Sequence, residues 1–117
     1  MSNKTVISTP NAPEAIGPYS QAVKVGNTIY ISGQIPLIPE TMEIVSGDIK
    51  EQTNRVFENL QAIAEASGGS FSKVVKINIS LTDLNHFTTV NKIMASYFKP
   101  PYPARTCLLY TSDAADE

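Results

Sequence analysis

The chain has 117 residues, 42% of them apolar and 17% charged, with a formal net charge of −2. That length fits one domain with a real core, and scattered charge without a Lys/Arg cluster gives nucleic-acid binding little support. One cysteine excludes an intrachain disulfide; it suits a reducing compartment, and no apolar run nears the ~18 residues of a membrane helix. The N-terminus, Met1 to Thr5, is polar and lacks a signal-peptide core. A soluble cytoplasmic protein with no membrane association is therefore expected. The charged fraction lies below the ~25% typical of globular domains, which points to surface covered by another subunit.

Thr5-Val6-Ile7 is a short predicted strand. Asn11 to Tyr19 is a loop punctuated by Pro and Gly. Ser20–Val25 and Thr28–Ser32 are strand-like, and Gly26-Asn27 between them is a two-residue hairpin signal. Pro39 to Gly47 forms a second turn or a loose hairpin. Asp48 to Ser67 is the clearest helix, with Ile49, Thr53, Val56, Leu60, Ile63 and Ser67 in one stripe, widened by Phe57 and Ala64. Ser46 or Asp48 caps its start and Gly68-Gly69 stops it. Lys73–Thr82 alternates, with Val75, Ile77, Ile79 and Leu81 on one face of a strand. Thr82 or Asp83 caps a second helix reaching about Phe98, with Phe87, Val90, Met94 and Phe98 along its stripe. Arg105 to about Tyr110 is a final strand. This order predicts an α+β fold, a mostly antiparallel sheet with two helices on one face.

The stretch Lys99-Pro100-Pro101-Tyr102-Pro103-Ala104-Arg105-Thr106-Cys107 is the most informative part of the chain. Its prolines restrict the backbone and deliver Arg105 and Cys107 to one face of a strand. A guanidinium can grip a carboxylate with two parallel bonds, so this corner suits carboxylate binding. An exposed arginine after a proline loop is the plainer reading. Asn91 shares a helical stripe with Phe87, Met94 and Phe98, so its amide either ties down a loop or lines a pocket. Ser32-Gly33-Gln34 ends a strand where a backbone could approach a ligand, or is a simple turn. Tyr19 is a polar-tipped aromatic on a rigid loop, or is half-buried packing. Cys107 could be a plain buried thiol. His86 is the only histidine. With one cysteine it cannot make a metal site, and a surface or partly packed position is expected. Glu51, Glu58 and Glu65 recur every seven residues and fit a solvated helix face.

Four segments occur in order: Ala15 to Ala22 (AIGPYSQA), Ser32 to Pro36 (SGQIP), Gly47 to Thr53 (GDIKEQT) and Pro103 to Cys107 (PARTC). Together they resemble the RidA (YjgF) family of reactive-intermediate deaminases, over about residues 4–107. The resemblance implies a chorismate-mutase-like protomer, a homotrimer with sites in clefts between subunits, and no metal or organic cofactor. It implies hydrolysis of 2-imino acids to 2-oxo acids and ammonia, with those small molecules as partners. By matched position, Arg105 would be the catalytic residue that holds the substrate carboxylate. Tyr19, Ser32, Gly33, Asn91 and Cys107 would line the cleft, with the Cys107 backbone near the attacking water. Members of the family have also been described as ribonucleases or translation inhibitors, which the charge distribution here disfavours.

The chain departs from the family after Cys107. The family continues with a Val/Glu-rich segment and a final strand of alternating Ile and Glu, including a glutamate assigned to the water. Residues 108–117 read Leu-Leu-Tyr-Thr-Ser-Asp-Ala-Ala-Asp-Glu. Cys107–Glu117 resembles the conceptual translation of a transposon-type sequencing adapter. The expectation is a family domain over 1–107, an aberrant tail over 108–117, and a missing final strand and glutamate. A non-catalytic module that binds small carboxylates, or a regulator on the same scaffold, is the alternative to a working deaminase.

Overall fold

The computed structural model describes residues 3–109. The fold is α+β, with the chain divided into two compact units, one ending at Ser70 and the other beginning at Phe71. The first holds β1 (Lys4–Ile7), β2 (Ala22–Val25), β3 (Thr28–Ile31) and α1 (Ile49–Ala66). The second holds β4 (Lys76–Leu81), α2 (Phe87–Tyr97) and β5 (Ala104–Leu109), with 3₁₀ turns at Phe71–Lys73 and Leu84–His86.

In the first unit β1, β2 and β3 form an antiparallel sheet in that order. Gly26, at φ +59°, makes the turn of the β2–β3 hairpin. The register aligns Ile7, Ala22 and Ile31 across the three strands, and Val6, Val23 and Tyr30 in the adjacent row. Successive strand residues alternate faces, so these rows lie on opposite sides. The first row packs with Ile29, Ala12, Ala62 and the fully buried Ile63 of α1. Burying such an aliphatic side chain stabilises by roughly 1.5–3 kcal/mol. The second row stays open: Val6 is 59% and Tyr30 65% exposed.

Helix α1 begins and ends as its sequence dictates. Asp48 is the N-cap, and its Oδ1 accepts from the N–H groups of Lys50 (3.0 Å) and Glu51 (3.2 Å). At the other end Gly68 takes φ +84°, with Gly69 N–H donating to Ala64 O (2.9 Å) and Gly68 N–H to Glu65 O (3.0 Å). That paired pattern is the Schellman motif, and only glycine accepts its positive φ without strain. The buried face contains Thr53, Phe57, Asn59, Ile63 and Ala64. Asn59 is absent from the apolar stripe seen in sequence, yet it is fully buried. Its Nδ2 donates to Leu37 O (3.0 Å) and its Oδ1 accepts from Arg55 Nε (3.1 Å). Leu37 bridges Ile44 in the loose hairpin expected over this region, with Met42 at φ +61° at its tip.

In the second unit β4 and β5 pair in parallel, with Ile77 opposite Arg105 and Ile79 opposite Cys107. Parallel strands need a long crossover, and the segment carrying α2 supplies it. Val90, Ile93 and Met94 of α2 are buried, as is Phe98 just beyond its end. Phe98 stacks on Phe71 with ring centroids 4.6 Å apart. Asp83 caps the 3₁₀ turn through Asn85 N–H (2.9 Å), so α2 starts later than its sequence pattern suggests. Val75, expected on the inward face, precedes β4 and is 81% exposed. The final alternating strand, expected to be missing after Tyr110, lies outside the described residues.

The cap at Asp48 is separable from packing because its side chain is exposed. Asp48→Ala should lower unfolding stability by about 1 kcal/mol, while Asp48→Asn should lose only a few tenths. Urea denaturation monitored by far-ultraviolet circular dichroism measures both.

Candidate active site

The site residues expected from sequence form two groups, one in each unit. In the second unit, Arg105 is the second residue of β5, opposite Ile77. Its side chain meets three residues of α2. Nη1 donates to the Oδ1 of Asn91 and lies 3.9 Å from the Sδ of Met94. The guanidinium carbon lies 4.9 Å from the centroid of the Phe87 ring, a cation–π distance. Phe87, Asn91 and Met94 stand at i, i+4 and i+7, one face of a helix. A single helix face thus grips the cation through an amide oxygen, a thioether and an aromatic ring. The Pro100–Pro101 peptide bond in the lead-in to β5 is cis.

Arg105 remains exposed. A guanidinium carries five N–H donors in a planar fork, and the two bonds described use Nη1 alone. The Nε and Nη2 edge has the geometry to receive a carboxylate through two parallel bonds. Cys107 follows on the same strand face and is exposed, so the buried-thiol reading is corrected. Its backbone is bound into the parallel ladder opposite Ile79. Asn91 spends its amide oxygen on the arginine, a role beyond the loop tie or pocket lining expected of it.

In the first unit, Tyr19 is 53% exposed. Its backbone N–H donates to Gly17 O (2.9 Å), and its hydroxyl oxygen accepts from Ile16 N–H (3.3 Å). Ser32 follows β3, its N–H donating to Gln21 O (3.0 Å) and its Oγ to Ser20 O (2.5 Å). Ser32 therefore ties the end of β3 to the segment just after Tyr19. A Cβ built on Gly33 would meet nothing within 4 Å, and its φ is not in the left-handed range. Neither backbone conformation nor crowding by this chain's atoms accounts for glycine there.

Sequence reasoning missed Gln21, which is 4% exposed and makes four side-chain bonds in the loop before β2. Its sequence signals were its place in the Ala15–Ala22 segment and a polar side chain at an apolar strand start. His86 sits at the N-cap position of α2 without a side-chain cap bond. Among the described residues, no group of three or more His, Cys, Asp or Glu could hold a metal ion.

A profile of the family described as endoribonuclease L-PSP matches residues 9–111. A 2-iminobutanoate/2-iminopropanoate deaminase from Dermatophagoides farinae is 50% identical over 106 residues, covering 91% of this chain and 83% of the relative. The crystal structure of RidA from an Antarctic Psychrobacter superposes with a TM-score of 0.87 at 53% identity, covering 91% of this chain and 85% of that one. The crystal structure of E. coli TdcF with bound serine gives a TM-score of 0.85 at 39% identity, covering 91% and 85%. With the fold, the ordered motifs and these similarities in agreement, the chain belongs to the RidA (YjgF) family.

Two substitutions test the Arg105 corner. Arg105→Lys keeps the charge but loses the planar fork, and should weaken binding of 2-oxobutyrate by about 1–3 kcal/mol. Asn91→Asp sets a carboxylate against the guanidinium to compete with the ligand, and should weaken the same binding by a similar ~1–3 kcal/mol. Titration calorimetry reads both, and unchanged affinity in the two variants removes Arg105 from the site.

Proposed function

We propose that this protein hydrolyses reactive 2-imino acids to 2-oxo acids and ammonia. The observation that carries the proposal is the Arg105 guanidinium, held by Phe87, Asn91 and Met94 and presented at the surface. Every 2-imino acid carries a carboxylate beside the reacting carbon, and Arg105 is its receptor. Water adds to the imine carbon and gives a tetrahedral carbinolamine. The nitrogen takes a proton and leaves as ammonia, and the carbonyl forms. These steps need orientation and proton delivery, so a sparse site without metal or cofactor suffices. The family resemblance supports assigning the Cys107 backbone to the water's approach, and Tyr19, Ser32 and Gly33 to the walls of a cleft formed between subunits. The unexplained glycine at 33 fits a ligand approaching the backbone closely. The 2-iminobutanoate/2-iminopropanoate deaminase from Dermatophagoides and the serine bound to TdcF support the reading, since serine also presents a carboxylate.

The working assembly is a homotrimer. In its favour stands the open face of the first sheet, where Val6, Val25 and Tyr30 are exposed together. Exposed apolar faces of this kind mark interaction surfaces. The low charged fraction agrees. Nine basic against eleven acidic residues favour a small-molecule ligand over RNA. The single cysteine favours a cytoplasmic location. Among the described residues, no helix is long and apolar enough to cross a membrane.

The chain reads as a family domain over 1–107 followed by an aberrant tail over 108–117, whose first two residues, Leu108 and Leu109, still pair with β4. In the family the following strand brings a glutamate for the water. The sequence here supplies Asp113, Asp116 and Glu117 among small and hydroxylated side chains instead. That difference favours a second reading, in which this chain binds 2-oxo acids without turnover.

Ammonia release from enzymatically generated 2-iminobutyrate, with and without the protein, tests the activity. Release above the uncatalysed rate is expected for a working site. Binding of 2-oxobutyrate without release supports the second reading. Replacing 108–117 with a family-like Val/Glu and Ile/Glu strand should raise turnover and trimer content together. Sedimentation measures the latter, and a clean 12.7 kDa monomer from the repaired protein would refute the trimer. Sequencing reads across codons 105–117 test the adapter origin directly.

A further inference from the structure

We propose that Gln21 is a positioning residue that sets the Tyr19–Ser32 wall of the substrate site. The proposal rests on the function proposed above. The amide of Gln21 is almost wholly buried and works in every direction available to it. Oε1 accepts from Thr9 N–H (2.7 Å). Nε2 faces the carbonyls of Thr9 (3.1 Å), Ala12 (3.3 Å) and Pro13 (2.7 Å). Both polar ends of the side chain thus bind the backbone of Thr9, as a neighbouring strand would. The backbone ladder between β1 and β2 stops at Ile7 and Ala22, and the Gln21 side chain extends the connection to Thr9.

The main chain of the same residue faces the other way. Gln21 O accepts from Ser32 N–H, and its neighbour Ser20 O accepts from Ser32 Oγ. Gln21 is therefore pinned to the 9–13 loop through its side chain and to the end of β3 through its backbone. Tyr19 lies two residues away, and its two described hydrogen bonds go to Gly17 and Ile16 in its own loop. Gln21 joins the 9–13 end of this loop to the residues that hold Ser32. Releasing the amide frees the 9–13 loop, and with it the chain running on to Tyr19, while Ser32 keeps its bonds to the carbonyls of Ser20 and Gln21 and Arg105 is untouched. The consequence falls on substrate binding more than on turnover.

Asn59 provides a matched control. It is an equally buried amide in the same unit, bonded to Leu37 O and Arg55 rather than to the Tyr19 segment. Gln21→Glu is nearly isosteric, removes both N–H donors and sets a carboxylate against three carbonyls. Gln21→Met keeps the length without polar atoms, and serves if the charged variant does not fold. The full chain and each variant are assayed for ammonia release from 2-iminobutyrate, for 2-oxobutyrate affinity by calorimetry, and for Tm. Gln21→Glu or Gln21→Met should raise KM and the 2-oxobutyrate Kd about 10-fold with kcat within about 3-fold, while Asn59→Leu lowers Tm with KM and Kd within about two-fold. Unchanged KM and Kd in the Gln21 variants overturn the proposal, as does an equal rise in Asn59→Leu. If the unsubstituted chain binds 2-oxobutyrate but releases no ammonia, the deaminase reading falls, and Kd alone decides Gln21 by the same criterion. If it does not bind 2-oxobutyrate, both fall.

Discussion

The parallel pairing of β4 with β5 is the constraint on which the candidate site depends. Two parallel neighbours cannot be joined by a tight turn, so the chain must leave the sheet and return. The return path carries α2, and the register then sets Ile77 opposite Arg105. With that pairing, an arginine at the second position of β5 meets the helix face of Phe87, Asn91 and Met94. A slip of one residue would turn Arg105 to the other face of the sheet and replace it with Thr106 or Ala104. The cation's place is thus fixed by backbone pairing first and by its side-chain partners second.

The first unit solves a different problem. Its sheet has three short strands, and much of its chain is loop. Buried loop backbone must find hydrogen-bond partners. Two side-chain amides supply them: Gln21 for the 9–13 loop and Asn59 for the hairpin at Leu37. An amide suits this work because it both donates and accepts, and it does so without the desolvation cost of a buried charge. The apolar row of Ile7, Ala22 and Ile31 provides the burial, and the amides provide the order in the loops above it.

Much of this was legible in the sequence because it is written in period and punctuation. The alternation of Ile77, Ile79 and Leu81 gave β4, and Asp48 with Gly68-Gly69 bounded α1. The association of Asn91 with Phe87 and Met94 was visible as a helical stripe, and the proline-led Arg105 was visible as a corner. The partner of β5 was not visible, because alternation records which face is buried and not which strand lies alongside. Val75 extended the alternation by one residue into a segment that does not pair. Gln21 and Asn59 were hidden for a single reason. A polar side chain in an amphipathic pattern reads as surface, and only the carbonyls it satisfies, at residues 9–13 and 37, reveal it as interior. Cys107 erred in the opposite sense, since a small apolar thiol reads as core and is exposed here.

The three described partners of Arg105 share one property: none carries a charge. An aspartate at 91 would hold the guanidinium more tightly, but it would also cancel the field that the proposed ligand carboxylate would feel. At 4 Å an opposite unit charge is worth roughly 1 kcal/mol in water and about 4 kcal/mol at the effective dielectric of a protein surface. A resident carboxylate would therefore oppose an incoming one on the same scale as the attraction it is meant to find. The amide of Asn91, the sulfur of Met94 and the face of Phe87 fix the direction of the guanidinium while leaving its charge available. Orientation without neutralisation is what the proposed carboxylate receptor requires, and a helix face offering an aromatic ring, an amide and a thioether at i, i+4 and i+7 is a direct way for a short sequence to encode it.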